Sequence, residues 1–224
     1  MGPALSVVVP ILDEEDGLPE LLRRLLPVLE AQTARFEVVF VDDGSRDGSV
    51  ALLRRAAETD PRVKVLALSR NFGQHVALSA GCDHARGDVV VLMDGDLQDR
   101  PEEIPALLGR LDEGYDAVYA IRRNRKDGAI KRATSAAFHA VLATAVGGRH
   151  HASAAVFRAM RRPVVDALGK LRERGRFLTG LIGWLGFQQA AVEVQHGTRF
   201  TGRTKYSLVR MLRLAADAVT SLSH

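Results

Sequence analysis

Short apolar runs alternate with helical repeats through the first half of the chain. Five runs predict β-strands, at residues 5–10, 36–41, 63–68, 89–93 and 117–121. Between them, apolar residues recur at spacings of three and four, which is typical of helices that bury one face. These helices are predicted at 18–29, 47–56 and 76–85, with another beginning at Pro101. The alternation predicts an α/β fold whose mostly parallel, doubly wound central sheet is flanked by helices.

The pattern loosens after Ile121. The elements predicted there are helices at 130–146, 163–171 and 177–185, a strand at 187–194, and an amphipathic helix at 206–222. The chain contains neither an internal repeat nor a low-complexity linker. Residues 1–224 are therefore expected to form one domain with an elaborated C-terminal third.

Composition narrows the range of functions. The 224 residues are 46% hydrophobic and 26% charged, as in ordinary globular proteins, but only 5% are aromatic. Few aromatic rings argue against a base-stacking platform, so no nucleic-acid partner is expected. The single cysteine, Cys82, excludes an intrachain disulfide and favours a reducing cytoplasmic setting. No leader sequence and no membrane span, which needs roughly 18 apolar residues, are predicted.

Charge is distributed unevenly along the chain. The formal net charge is +4, and most of the basic clusters lie after residue 120. The acidic strand ends lie before residue 100. Any single basic cluster is more often a solvated face than a binding site. The polarity between the halves nevertheless favours a first half that holds a metal and a second half that holds anions.

Two carboxylates, Asp94 and Asp96, stand directly after the fourth predicted strand. In extended backbone, residues two apart point to the same side, and Gln98 is two residues further on. Hard oxygen ligands suit Mg²⁺ or Mn²⁺, which keep water and phosphate oxygens as their other ligands. Asp42 and Asp43 follow the second strand, and parallel strands bring such ends to one edge of the sheet. The pattern predicts an enzyme that handles a metal-bound, phosphorylated substrate.

Six motifs occur in order over nearly the whole chain. They are VVPILDEE at 8–15, VDDGS at 41–45, RNFGQH at 70–75, DGDLQDRPEE at 94–103, RRNR at 122–125 and RFTGRTKY at 199–206. Together they resemble the inverting family 2 glycosyltransferases with the Rossmann-like GT-A fold. Within that family the chain is most similar to the polyprenyl-phosphate glycosyltransferases. The resemblance implies a nucleotide-sugar-binding half at 1–121 and an acceptor-side half at 122–224.

The resemblance also implies roles for individual residues. Those expected to bind the nucleotide sugar are Pro10, Leu12, Glu14, Asp42, Asp43, Gly73, Gln74, Asp94, Gly95, Arg122, Arg123 and Arg132. Those expected to hold Mg²⁺ or Mn²⁺ are Asp94, Asp96 and Gln98. Those expected to act directly in catalysis are Asp94, Asp96, Arg122, Arg199 and Lys205, the last two on the acceptor side. Guanidinium and ammonium groups suit phosphate, in agreement with the implied substrates.

The implied reaction moves a sugar from a nucleotide diphosphate, UDP rather than GDP, to a polyprenyl phosphate. The amphipathic helix at 206–222 carries arginines beside its apolar face, as expected of a protein that binds an anionic membrane surface peripherally. The enzyme would then act in the cytoplasm at the inner face of the cell membrane. The sequence is compatible with a homo-oligomer and does not predict one.

The chain departs from its relatives at two places before the C-terminal region. Relatives carry a carboxylate just before Phe157, whereas residues 152–156 contain no acid, and Asp13 stands where relatives have Asn. An ionised phosphate acceptor needs no general base, whereas a hydroxyl acceptor normally does. Two alternatives stay open: a transferase acting on a soluble hydroxyl, and a catalytically silent protein that only binds nucleotide sugars. A nucleotidyltransferase is disfavoured because no Gly-rich basic loop follows the first strand.

Overall fold

The computed structural model describes residues 2–122, 156–171, 181–182, 185–195 and 197. The predicted helices at 130–146 and 206–222 lie outside the described residues, as do six of the nine residues of the one at 177–185. Within the described part of the chain, no helix has the length and apolar character needed to cross a membrane.

The described residues form the strands β1 Leu5–Ile11, β2 Phe36–Asp42, β3 Val63–Ala67, β4 Val89–Leu92, β5 Ala117–Arg122, β6 Arg158–Arg161 and β7 Gln189–Val194. The helices are α1 Leu18–Gln32, α2 Ser49–Thr59, α3 Gln74–His84, α4 Ile104–Asp112 and α5 Arg162–Lys170. A single 3₁₀ turn, Pro101–Glu103, precedes α4. The predicted α/β class is confirmed.

All seven strands belong to one sheet, in the order β3-β2-β1-β4-β6-β5-β7. Strands β1 to β4 are mutually parallel, and β5 is parallel to β7. Only β6 among these strands is antiparallel to its neighbours, β4 and β5. The other six strands consequently run in the same direction, and the loops that follow β1, β2, β4 and β5 emerge at the same edge of the sheet.

Apolar side chains cover both faces of the sheet. Val7 and Val9 of β1 belong to a core with residues of α1, α2 and α4, whereas Val8 belongs to a second core with residues of α3 and α5. All three valines are fully buried. Burial on both faces explains why these strands are continuous apolar runs rather than alternating ones.

One strand was missed, and several elements begin or end a few residues from their predicted positions. The sequence analysis did not predict β6, whose fully buried Ala159 and Met160 lie between arginines that make the segment look polar. Strand β2 extends by one residue to Asp42 because that residue continues the parallel register opposite Ile11. Helix α3 begins at Gln74, two residues earlier than predicted, because Gly73 at φ +102° turns the chain immediately before it.

A polar network around the buried carboxylate of Glu37 lies at the amino ends of the parallel strands. The Ser6 hydroxyl and the Arg86 backbone amide both donate to Glu37 Oε1, each at 2.6 Å. Lys64 donates to the other carboxylate oxygen, and the Gly87 amide donates to Ser6 Oγ at 2.7 Å. Burial opposes ionisation of Glu37, but the hydrogen bonds from Lys64, Ser6 and Arg86 outweigh it and lower the pKa of the carboxyl. This carboxylate therefore joins β1, β2, β3 and the loop before β4.

Glu37→Gln is expected to lower the free energy of unfolding by about 2 kcal/mol at neutral pH, because it removes a charge-assisted bond and places an amide donor among donors. The folded-state pKa of Glu37 is lowered, so its contribution is complete above the ordinary value of 4.5 and is lost as pH falls through the folded value. The difference between variant and wild type should therefore shrink in acid. Urea unfolding across this pH range measures it.

Glu30→Gln is the matched control, since Glu30 is half exposed and pairs with Arg62 at the surface. It should change the free energy of unfolding by less than about 0.5 kcal/mol. A loss for Glu37→Gln no larger than that of the control would contradict the role of the network.

Candidate active site

The loop that follows β4 carries the three predicted metal ligands, Asp94, Asp96 and Gln98, at the carboxyl edge of the sheet. The Asp94 amide donates to Asp99 Oδ2 and the Gln98 amide donates to Asp96 Oδ1, both at 3.0 Å. Leu97 is buried and adopts φ +63°, a left-handed conformation that a leucine rarely takes. Hydrogen bonds from the loop's own backbone amides to its own carboxylates therefore stabilise its conformation.

Gly95 is required by the close packing of this loop on β1. A Cβ at Gly95 would lie 2.4 Å from Ile11 Cδ1 and 3.2 Å from the Pro10 carbonyl oxygen. Ile11 is itself buried in the core. The two acids thus sit directly against the end of β1, where Pro10 is among the predicted nucleotide-binding residues.

Gln74 contacts the loop of residues 94–99 that carries the predicted metal ligands. It is the first residue of α3, and its side-chain amide donates to Asp94 Oδ1 at 2.5 Å. The sequence analysis placed Gln74 among the nucleotide-sugar ligands without assigning it this contact. The hydrogen bond fixes the orientation of the Asp94 carboxylate and joins the start of α3 to the end of β4.

Asp42 and Asp43 both shape neighbouring loops. Asp42 accepts hydrogen bonds from the Gly44 and Ser45 amides, and its side chain is buried. Asp43 accepts from the Phe72 amide at 2.7 Å and from the Gly73 amide at 2.9 Å. A carboxylate has about four acceptor sites, so these bonds leave room for others. Contact of either residue with a nucleoside stays a prediction.

The loops after β1 and β2 are hydrogen-bonded to each other. The Asp13 amide donates to Ser45 Oγ at 2.9 Å, and Asp13 Oδ1 accepts from the Arg46 amide at 2.8 Å. The Glu14 amide donates to Ser49 Oγ at 3.0 Å. Asp13 adopts φ +51°, which Asp and Asn tolerate better than most residues. Asparagine could accept the same bond and adopt the same backbone, so nothing in the structure explains why Asp stands here in place of Asn.

Arg158 was not predicted as a site residue, although it lies beside the site. It is almost fully buried on β6, directly opposite Leu92, the last residue of β4, which precedes Asp94 by two residues. Burial lowers the pKa of Arg158 to about 10, so the guanidinium remains positive at neutral pH. The sequence feature that could have indicated this residue is the Phe157-Arg158 pair, which served only to locate the position at which relatives carry a carboxylate.

The predicted cationic ligands are described only in part. Arg122 ends β5 at the same edge of the sheet as the acidic loops. Arg123, Arg132, Arg199 and Lys205 lie outside the described residues. Their roles stay predictions from the sequence.

The donor set suits a hard divalent cation. Two carboxylates and one amide share a short loop at the carboxyl edge, and Mg²⁺ or Mn²⁺ takes such oxygens together with water and phosphate. Within the described ranges, no group of three or more His, Cys, Asp or Glu residues is placed to hold a metal. Asp94, Asp96 and Gln98 would offer two carboxylates and one amide oxygen to such an ion, and their role as metal ligands stays a prediction.

Solved structures with the same architecture exist. Glucosyl-3-phosphoglycerate synthase from Mycobacterium tuberculosis, in complex with Mn²⁺, uridine diphosphate and glucosyl-3-phosphoglycerate, superposes with a TM-score of 0.64 at 19% identity. The match covers 99% of this chain and 79% of that chain. The fold is that of the GT-A glycosyltransferases, and the acidic loop after β4 stands at the edge where such sheets bind ligands.

The chain belongs to glycosyl transferase family 2, whose model matches residues 6–169. An uncharacterized glycosyltransferase of Bacillus subtilis, YkcC, is 41% identical over 98% of this chain and 68% of its own length. The undecaprenyl-phosphate 4-deoxy-4-formamido-L-arabinose transferase of Pseudomonas paraeruginosa is 42% identical over 98% of this chain and 65% of its own length. The chain thus spans about two thirds of these relatives. The predicted family and enzyme class are confirmed.

Proposed function

We propose that this glycosyltransferase moves a sugar, with inversion, from a nucleotide diphosphate sugar to a polyprenyl phosphate in a reaction that requires Mg²⁺ or Mn²⁺. The observation that carries the proposal is the closed Asp94–Asp99 loop at the carboxyl edge of β4. Its geometry is fixed by hydrogen bonds from its own backbone amides to its own carboxylates and by Gln74. An arrangement set before the ligand arrives needs no reorganisation during the reaction.

The donor side is supported by the chemistry of the loop and by the fold. Asp94, Asp96 and Gln98 would hold the divalent ion, which neutralises charge on the departing diphosphate. Gln74 keeps the Asp94 carboxylate in position by donating to its Oδ1 atom. The Mn²⁺ and uridine diphosphate in the neighbouring synthase structure support a uridine nucleotide and a divalent metal here.

The acceptor side is supported by the relatives and by an absence in the sequence. Relatives at 36–42% identity are named undecaprenyl-phosphate transferases. Residues 152–156 contain no acid that could act as a general base. A phosphate oxygen is already ionised at neutral pH, so a phosphate acceptor needs no such base. Arg199 and Lys205 would bind the acceptor phosphate as cations.

The reaction is a single displacement. A phosphate oxygen of the acceptor forms a bond to the anomeric carbon on the face opposite the leaving group, while the bond from that carbon to the diphosphate breaks. The electron pair leaves with the nucleoside diphosphate, and the product is a polyprenyl-phosphate sugar of inverted configuration. The enzyme would meet this lipid at the cytoplasmic face of the membrane, with the amphipathic segment at 206–222 against anionic headgroups.

A transfer assay tests the proposal. The chain is incubated with labelled UDP-sugars, Mn²⁺ and either undecaprenyl phosphate or a soluble alcohol, with chelated metal as the control. Label is expected to move to the lipid phosphate and to remain in the donor after EDTA treatment. Transfer to the alcohol alone would establish the hydroxyl-acceptor alternative. Absence of both transfer and Mn²⁺-dependent donor hydrolysis would favour the silent nucleotide-sugar binder.

A further inference from the structure

The metal-binding loop is joined to the chain segment that follows β7. The Gly197 amide donates to the Gln98 carbonyl oxygen at 2.9 Å. Arg100 Nη1 donates to Gln195 Oε1 at 2.6 Å. Two separate hydrogen bonds therefore connect residues 98–100 with residues 195–197, which lie nearly one hundred positions further along the chain.

The approach at Gly197 is a close one. A Cβ there would lie 2.6 Å from the Leu97 carbonyl oxygen and 3.6 Å from that of Gln98. Any other residue at this position would push the two backbones apart. Leu97 is also the residue in the left-handed conformation. Gly197 therefore contacts the loop at its residue of positive φ.

Arg100 is anchored on its other side. Its Nε atom lies 3.7 Å from Glu102 Oε2. Arg24 of α1 forms a bidentate pair with the same carboxylate, with N···O distances of 2.7 and 2.6 Å. The Arg100 guanidinium is thus held between Glu102 on the 3₁₀ turn and Gln195 beyond β7, and α1 supports the arrangement.

We propose that Arg100 is a positioning residue that couples occupancy of the metal-nucleotide site to the placement of residues 195–197. The inference rests on the proposed function of Asp94, Asp96 and Gln98 as metal ligands. A ligand that immobilises Gln98 also immobilises its carbonyl oxygen, which accepts from Gly197. The coupling is reciprocal, as linkage requires.

The coupling reaches the acceptor side through the covalent chain. Arg199, a predicted acceptor ligand, follows Gly197 by two residues. The coupling would thereby extend to a residue that is expected to bind the acceptor phosphate. Donor binding and the supply of an acceptor cation are connected in this way.

Hydrogen exchange at the Gly197 amide tests the coupling without any acceptor. Adding Mn²⁺ with uridine diphosphate is expected to slow exchange of this amide about tenfold in the wild type. In Arg100→Met the slowing should be less than about twofold, and Arg100→Lys should restore part of it. A purely structural role would change exchange equally with and without the nucleotide. Equal slowing in Arg100→Met and wild type, or no slowing in the wild type, would overturn the inference.

A kinetic measurement separates the inference from the proposed function. Arg100→Met should lower kcat for transfer to undecaprenyl phosphate about tenfold while KM for the UDP-sugar stays within about twofold. Arg23→Met is the matched control, because Arg23 is an exposed arginine that forms an ion pair with Glu20 along α1, and it should behave as wild type. If the wild-type protein transfers no sugar to the lipid, the proposed acceptor is refuted. Hydrogen exchange at Gly197 still tests the coupling in that case.

Discussion

Asp96→Asn is expected to lower kcat/KM for glycosyl transfer by about a thousandfold. Asparagine keeps an oxygen that can accept the Gln98 amide, so the loop retains its hydrogen bond while one carboxylate charge is lost. The variant should therefore fold normally yet bind Mn²⁺ weakly, since hard cations need anionic oxygen ligands. Steady-state transfer kinetics over a range of Mn²⁺ concentrations measure the loss.

Asp112→Asn provides the control for this change. Asp112 is exposed at the end of α4 and away from the carboxyl edge. The activity and Mn²⁺ dependence of the variant should therefore match wild type. Thermal unfolding with Mn²⁺ and uridine diphosphate gives a second readout, because a ligand that binds only the folded state raises its stability. Asp96→Asn with wild-type kinetics and a wild-type ligand-induced shift would remove this loop from the catalytic site.

Gly44→Ala is expected to lower the free energy of unfolding by about 3 kcal/mol. Gly44 adopts φ +77°, and a Cβ there would lie 2.6 Å from the Arg70 carbonyl carbon and 2.7 Å from the Asn71 nitrogen. Backbone atoms cannot move aside as a flexible side chain can, so the turn after β2 and the loop before α3 must separate. Activity should fall as well, because that loop positions Gln74 beside Asp94.

Gly109→Ala is the matched control and is expected to change the free energy of unfolding in the opposite direction. Gly109 lies inside α4 with no heavy atom within 4 Å of an added Cβ, and its φ is not positive. Alanine is the better helix former, so this variant should gain up to about 1 kcal/mol. Urea unfolding of both variants against wild type compares one residue change in two environments. Similar small effects at both positions would show that the Gly44 turn has more freedom than its contacts imply.

The sequence predicted the parallel part of the fold well and missed its antiparallel strand. Strands β1, β2 and β4 are buried on both faces and form continuous apolar runs, and β1 to β5 were all predicted to within one residue at each end. Strand β6 pairs with β4 and β5 through only four residues, and Arg158 and Arg161 stand at its ends. Its position depends on neighbours distant in sequence, which no local pattern contains.

The sequence predicted which loops share the carboxyl edge of the sheet, but not what each carboxylate there contacts. The rule that parallel strands expose their carboxyl ends together was sufficient to group Asp13, Asp43 and Asp94. Whether a given carboxylate caps a neighbouring loop or faces a ligand depends on backbone amides that only the fold brings close. Asp43, for example, accepts from Phe72 and Gly73, roughly thirty residues away along the chain.

The reciprocal bonds between the loops after β1 and β2 have a consequence for engineering. Asp13 and Glu14 depend on Ser45, Arg46 and Ser49, so neither loop keeps its conformation if the other is replaced. A chimera that imports one of them from a relative in order to change nucleotide preference would combine halves that do not match. These two stretches form one transplantable unit, and swapping them together is the route to a folded hybrid.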